Sequence, residues 1–265
     1  MLSLHEAKRG ILLVKEAGMR KINFAGGEPF LYPDFLGELV VYSKNIGVEA
    51  VSIVSNGSKI TSSFMRQYGS YIDVLAVSCD SFASETNKVI GRKSGAPLRR
   101  LLQIRSWCSQ YRIKFKVNTV VNRFNYREDM NDSIGQLQPF RWKCFQVLLD
   151  ESENNGDGTL RDARPLLISK AEYETFIANH AGQPSLIQEP NDIMRSSYLI
   201  LDEYMRFLGK EGDYAVSDSI LDVGVQKALQ SVLWRQSRFY QRDGVYDWKS
   251  NRAGLIQENP SALNW

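Results

Sequence analysis

Apolar residues at Leu4, Ala7, Ile11 and Val14 recur at steps of three and four and stop at Gly18, so residues 4–17 predict an amphipathic helix. A short apolar run at 20–24 predicts a strand, followed by a Gly-Gly turn and a helix opening near Pro33 and Asp34. The same alternation continues along the chain. Strands are expected at 50–55, 73–78, 113–121 and 141–149, and helices around 61–68, 96–111 and 128–137. Asn56-Gly57 closes the strand at 50–55. Short apolar strands separated by helices predict an α/β fold with a parallel sheet covered by helices. After residue 150 the pattern weakens: 151–158 is polar, and 197–208 and 219–233 read as helices. Residues 1–150 are therefore expected to form the sheet core, and 151–265 an extension over its mouth with no separate core.

In parallel sheets ligands gather beyond the carboxyl ends of the strands. Those ends read Ala25-Gly26-Gly27-Glu28-Pro29, Ser55-Asn56-Gly57, Ser78-Cys79-Asp80-Ser81 and Asn118-Thr119, and the last strand carries Arg141-Trp142-Lys143. All are polar or glycine-rich.

Composition narrows the chemistry. With 265 residues, 43% hydrophobic and 24% charged, the chain matches an ordinary globular protein, and disorder, collagen and small disulfide scaffolds are excluded. The apolar runs are too short to cross a bilayer, and the N-terminus lacks the layout of a secretory signal, so a cytoplasmic location is expected. Cys79, Cys108 and Cys144 are odd in number and far apart, which leaves neither a disulfide framework nor a short metal-binding cluster. They are most simply core residues, no metal ligands are assigned, and the two histidines offer little for imidazole chemistry.

Charge is partitioned more sharply than the net +3 suggests. Residues 91–143 carry twelve Lys/Arg against three Asp/Glu, while 144–223 carry six against fifteen. Such a basic block signals either an anionic ligand or a face that pairs with the acidic block after it. Lys116, Arg141 and Lys143 lie on its strands, and Lys21 opens the strand before the Gly-Gly turn. Alternation puts Arg141 and Lys143 on one side of their strand, which suits a shared anion.

The Gly26-Gly27 pair exposes backbone to which another molecule can come close. By itself Gly-Gly-Glu-Pro reads more readily as a tight turn, with Pro29 fixing the next element. In the context Lys21-Ile22-Asn23-Phe24-Ala25-Gly26-Gly27-Glu28-Pro29-Phe30-Leu31 it resembles the second-strand motif of radical S-adenosylmethionine enzymes. Ser78-Cys79-Asp80-Ser81-Phe82, Ile90-Gly91-Arg92, Phe115-Lys116-Val117-Asn118, Val121-Asn122-Arg123-Phe124-Asn125, Arg141-Trp142-Lys143 and the stretches 197–208 and 219–225 narrow the resemblance to the viperin-like members.

That resemblance implies a partial (β/α)₆ barrel with a [4Fe–4S] cluster and S-adenosylmethionine. It also implies abstraction of the ribose 4′ hydrogen of CTP and formation of 3′-deoxy-3′,4′-didehydro-CTP, a chain terminator in antiviral defence. Carried over residue by residue, it places Gly26, Gly27, Glu28, Asn56, Ser78 and Arg92 around the cofactor. Lys21, Lys116, Asn118, Arg141 and Lys143 fall around the triphosphate, and Tyr198 stands beside the substrate as a hydrogen donor. Neither nucleic acid nor a membrane is implied as a partner of this chain.

The chain departs from the family at its start. Such enzymes hold the cluster through Cys-x₃-Cys-x₂-Cys after a first strand, because three thiolates leave one iron open. The segment matching residues 2–10 follows that loop, so the first strand and the ligands are expected to be missing and this chain inactive as written. Two readings stand: a shortened form of an intact radical enzyme, or a cluster-free nucleotide-binding or interaction protein derived from the fold. The terminal Leu263-Asn264-Trp265 resembles tails read by the cytosolic iron–sulfur assembly machinery, which favours the first. The family's N-terminal helix for endoplasmic-reticulum or lipid-droplet attachment is expected to have no counterpart in this chain.

Overall fold

The computed structural model describes residues 2–92, 97–149, 162–191, 199–209, 216–232 and 247–248. Its strands are β1 (Lys21–Phe24), β2 (Ala50–Ser55), β3 (Val74–Ser78), β4 (Lys114–Val121), β5 (Arg141–Gln146) and β6 (Leu186–Glu189). They form one six-stranded sheet in chain order, with β1 parallel to β2, β4 to β5 and β5 to β6. The helices are α1 (Leu4–Glu16), α2 (Pro33–Asn45), α3 (Ser62–Tyr68), α4 (Ser84–Val89), α5 (Leu98–Gln110), α6 (Asn131–Leu137), α7 (Lys170–Asn179), α8 (Ile220–Val223) and α9 (Val225–Gln230). Successive parallel strands joined through helices are the expected α/β arrangement of the partial-barrel kind. The chain divides into two compact units: Met1–Ile53 with Thr61–Val74 and Asp192–Trp265, and Val54–Ile60 with Leu75–Asn191.

In the first unit, α1 starts at a capping box: the Glu6 amide donates to Ser3 Oγ at 3.2 Å and the Ser3 amide to Glu6 Oε2 at 2.8 Å. One stripe of the helix, Ala7, Gly10, Ile11 and Val14, is buried. Val14 joins Phe207, Ile220, Val225, Ala228 and Val232 in one apolar cluster, so α8 and α9 pack against α1. Gly10 lies directly under Met205: a Cβ there would stand 2.7 Å from the sulfur. Buried Asp73 accepts from the Val51 amide at 2.8 Å and from Lys44 Nζ at 3.0 Å, joining α2 and β2 to the entry of β3.

The second unit buries one sheet face under helices. Trp142, Phe176 and His180 are fully enclosed, with the Trp142 and His180 rings edge to face at 5.1 Å. Trp142 Nε1 donates to Thr119 Oγ1 at 2.9 Å, and Thr119 Oγ1 donates to the Cys79 carbonyl at 2.6 Å. His180 accepts from the Met130 amide at 2.9 Å through Nε2, and its Nδ1 lies 2.7 Å from the Phe176 carbonyl. Both ring nitrogens are thus satisfied by backbone in the neutral Nδ1–H form.

Two expectations need correction. Residues 199–208 are not helical: Leu201 pairs antiparallel with Phe207, and Met205 has φ +58°. Asp202 Oδ1 accepts from the amides of Tyr204 and Arg206 at 2.8 and 2.9 Å, so its side chain takes the donors a helix would have used. The helix expected over 219–233 is split into α8 and α9 by Gly224, whose φ of +80° and ψ of 161° interrupt it. The weak pattern after residue 150 also concealed α7 and β6, which extends the sheet.

Candidate functional site

In the first unit, β1 runs out into Gly26-Gly27-Glu28. Gly26 has φ +115°, outside the region side-chain-bearing residues favour, so the turn itself calls for glycine. Gly27 has no such torsion, and a Cβ built at either position meets no atom of the chain within 4 Å. Both glycines are exposed, which leaves backbone polar groups open to an incoming molecule. Glu28 caps the short 3₁₀ turn Pro29–Leu31 by accepting from the Phe30 amide at 3.1 Å. Lys21, at the start of β1, holds its ammonium 5.3 Å from the ring centroid of buried Trp248.

In the second unit the loop after β2 is tightly built. Asn56 Oδ1 accepts from the Ser58 amide at 2.9 Å and Ser55 Oγ from the Gly57 amide at 3.0 Å. Gly57 combines φ +80° with neighbours, Val77 and Ile104, that leave a Cβ only 3.0 and 3.1 Å of clearance. Arg100 on α5 reaches across to donate to the Gly57 carbonyl at 3.1 Å and to the Ile60 carbonyl, and burial lowers its pKa.

Ser78 ends β3 half-buried. Beyond it, Asp80 binds Arg92 through Oδ2 and accepts from the Val120 amide through Oδ1 at 2.9 Å. Asn125 Nδ2 donates to the Asp80 carbonyl at 2.6 Å, and Glu128 accepts from Ser81 Oγ at 2.6 Å and the Phe82 amide at 2.8 Å. The motifs at 78–82 and 121–125 are therefore two halves of one hydrogen-bonded frame that holds Arg92.

The strongest charge feature lies on β4 and β5. Their register sets Lys116 beside Arg141 and Asn118 beside Lys143, and alternation puts all four on the same face. The opposite face carries Val117, Thr119, Trp142 and Cys144, all fully enclosed. Lys116, Arg141 and Lys143 are only 7%, 9% and 7% exposed, while Glu189 at the end of β6 is 0% exposed. Glu189 forms an ion pair with Lys143, whose ammonium also lies 5.8 Å from the Phe145 ring centroid. The acidic block thus supplies Glu189 as a partner to Lys143. Three enclosed cations on one sheet face make it a candidate anion site.

Sequence reasoning missed Glu189, Asp80, Glu128 and Arg100. Only Asp80 stood inside a quoted motif; Glu189 ends a strand too short and mixed to be read. Tyr198 and Trp265 lie outside the described residues.

All three cysteines are buried. Burial pushes the Cys79 thiol up to about 12, and the Cys108 and Cys144 thiols well above their usual range, so none is a ready thiolate. Among the described residues no group of three or more His, Cys, Asp or Glu comes together to hold a metal ion. The cysteines of this chain do not fit an iron–sulfur cluster. The open Gly26-Gly27 backbone does fit the polar end of a cofactor. Among the described residues, no helix is long and apolar enough to cross a membrane.

Comparison with known proteins decides the family. The Radical SAM superfamily matches residues 1–137. An S-adenosylmethionine-dependent nucleotide dehydratase, RSAD2 of Danio rerio, is 50% identical over 254 residues, covering 94% of this chain and 71% of that protein. The chain belongs to the radical SAM superfamily, among its S-adenosylmethionine-dependent nucleotide dehydratases. A nucleotide dehydratase of Flammeovirga pacifica is 38% identical over 88% of the chain and 80% of its own length. The fold matches native anSMEcpe with bound AdoMet at a TM-score of 0.60 and 13% identity, over 89% of this chain and 72% of that one.

Proposed function

We propose that this chain carries the cofactor- and nucleotide-facing body of a radical S-adenosylmethionine nucleotide dehydratase that acts on CTP. The observation that carries this reading is the buried basic face of Lys116, Arg141 and Lys143 beside Asn118, on a chain whose relatives are named nucleotide dehydratases. A triphosphate brings several negative charges to this face, and the fork of Arg141 and the point charges of the lysines match its oxygens. The family resemblance adds Lys21 to the proposed set.

The open Gly26-Gly27 backbone would receive the methionine end of S-adenosylmethionine, and the family resemblance adds Glu28, Asn56, Ser78 and Arg92 to the proposed cofactor set. In an intact parent that held the [4Fe–4S] cluster to supply the electron, that cofactor would provide the radical chemistry for converting CTP to 3′-deoxy-3′,4′-didehydro-CTP, an antiviral chain terminator. Arg92 is held for its role by Asp80, and Tyr198 is the proposed hydrogen donor that closes the reaction.

Calorimetric titration of the chain with CTP, UTP and ATP tests the substrate. The expected result is binding with CTP tightest, and loss of at least about tenfold in Arg141→Met. Failure of CTP to bind, or equal binding by Arg141→Met, overturns the assignment.

A second reading is favoured by the burial of all three cysteines: a nucleotide-binding protein without radical chemistry. Anaerobic reconstitution with iron and sulfide of a form that carries the Cys-x₃-Cys-x₂-Cys loop, followed by assay for the didehydro nucleotide, separates the two: product supports the first reading and its absence the second. Trp265 is proposed as a handle for the cytosolic iron–sulfur assembly machinery, in keeping with a cytoplasmic location. Deleting it should abolish capture of that machinery.

A further inference from the structure

Glu189 is a carboxylate enclosed on the face where a polyanion is proposed to bind. Its backbone is anchored: the Glu189 amide donates to the Tyr173 hydroxyl at 2.9 Å, and that hydroxyl donates to the Cys144 carbonyl at 2.7 Å. The register of β5 and β6 sets it beside Phe145, on the same face as Lys143. A buried ion pair gives little net stability after desolvation, but it fixes geometry. Lys143 is a flexible side chain whose freedom would otherwise have to be lost when an anion binds. Here it is held before binding, between the Glu189 carboxylate and the face of Phe145.

We propose, resting on the assignment of β4 and β5 to the triphosphate, that Glu189 is a positioning residue for that site. It holds the Lys143 ammonium in place for the anion. Because the carboxylate is already engaged by Lys143, an approaching phosphate meets the pair and not a bare negative charge. Preorganisation therefore outweighs repulsion, and removing the carboxylate weakens anion binding.

The test uses the 265-residue chain and sodium tripolyphosphate in a calorimetric double-mutant cycle, with circular dichroism on each variant. Glu189→Gln is expected to weaken binding by about tenfold, the order expected when a lysine must be ordered during binding. In a Lys143→Met background the same change should cause no further loss, because the residue through which Glu189 acts is gone. Should Glu189→Gln fail to fold, Glu189→Asp, which keeps the charge but withdraws it by one methylene, must weaken binding in the parent and not in Lys143→Met. Unchanged or tighter binding by Glu189→Gln overturns the proposal, and so does an equal loss in both backgrounds, the signature of a merely structural role. If the parent chain itself does not bind tripolyphosphate, the triphosphate assignment falls first and takes the proposal with it.

Discussion

A methyl group added at Gly27 would meet no atom of the chain within 4 Å, and the backbone there has no left-handed torsion. Gly27→Ala should therefore melt within about 1 °C of the parent, since surface changes away from special torsions are nearly neutral. Its binding of S-adenosylmethionine should fall, because the methyl occupies the space assigned to the cofactor. Thermal melts and titration measured together check this; unchanged cofactor binding would remove the Gly-Gly turn from the site. Gly26→Ala differs, because φ +115° adds backbone strain of about 1–3 kcal/mol and a lower melting temperature. His180 makes the opposite case, a polar residue with purely architectural partners. His180→Ala leaves the buried Met130 amide without its acceptor and opens a cavity, and should cost about 2–4 kcal/mol in urea unfolding.

Elements succeed or fail in the sequence according to whether their own pattern or a distant partner defines them. The strands from β1 to β5 and helices α1, α2, α3 and α5 were legible because apolar spacing and turn residues reside within each segment. The 199–208 segment was not, because Leu201 and Met205 sit at helical spacing while Asp202 redirects the backbone. Its carboxyl makes this testable. Burial acts to raise the Asp202 pKa, but hydrogen bonds from the Arg206 amide and guanidinium and the Tyr204 amide outweigh it and leave the value lowered. A lowered folded-state pKa means stability present above the unfolded value of about 3.9 and lost as pH falls through the folded one. Acid titration of chain stability should accordingly show a step below about pH 4 that Asp202→Asn lacks. β6 was hidden for another reason: four mixed residues become a strand only because β5 and the Tyr173 hydroxyl receive them.

Over the whole molecule, the charge blocks of the sequence became specific contacts. Seven more basic than acidic groups would remain in 91–143 even if two found partners, but only the register of β4 with β5 shows which cations share a buried face. Tripolyphosphate at about a hundred times its dissociation constant should stabilise the chain by about 2.7 kcal/mol, raising its melting temperature by about 5–10 °C. At the same concentration Arg141→Met should cut that rise by about half or more, and raising salt should reduce it. The frame of Asp80, Asn125 and Glu128 was invisible in the sequence because it joins residues more than forty positions apart.

Met205 gives α1 a vulnerability unrelated to ligands. Its sulfur fills the place a side chain would take at Gly10, in a turn with φ +58°. Oxidation to the sulfoxide adds a polar oxygen where the helix backbone leaves no room, and so loosens the contact between α1 and the 199–208 turn. Mild peroxide treatment should lower the melting temperature in step with sulfoxide at Met205 by peptide mass spectrometry, and Met205→Leu should resist it. The molecule would then carry its own record of exposure to oxidants.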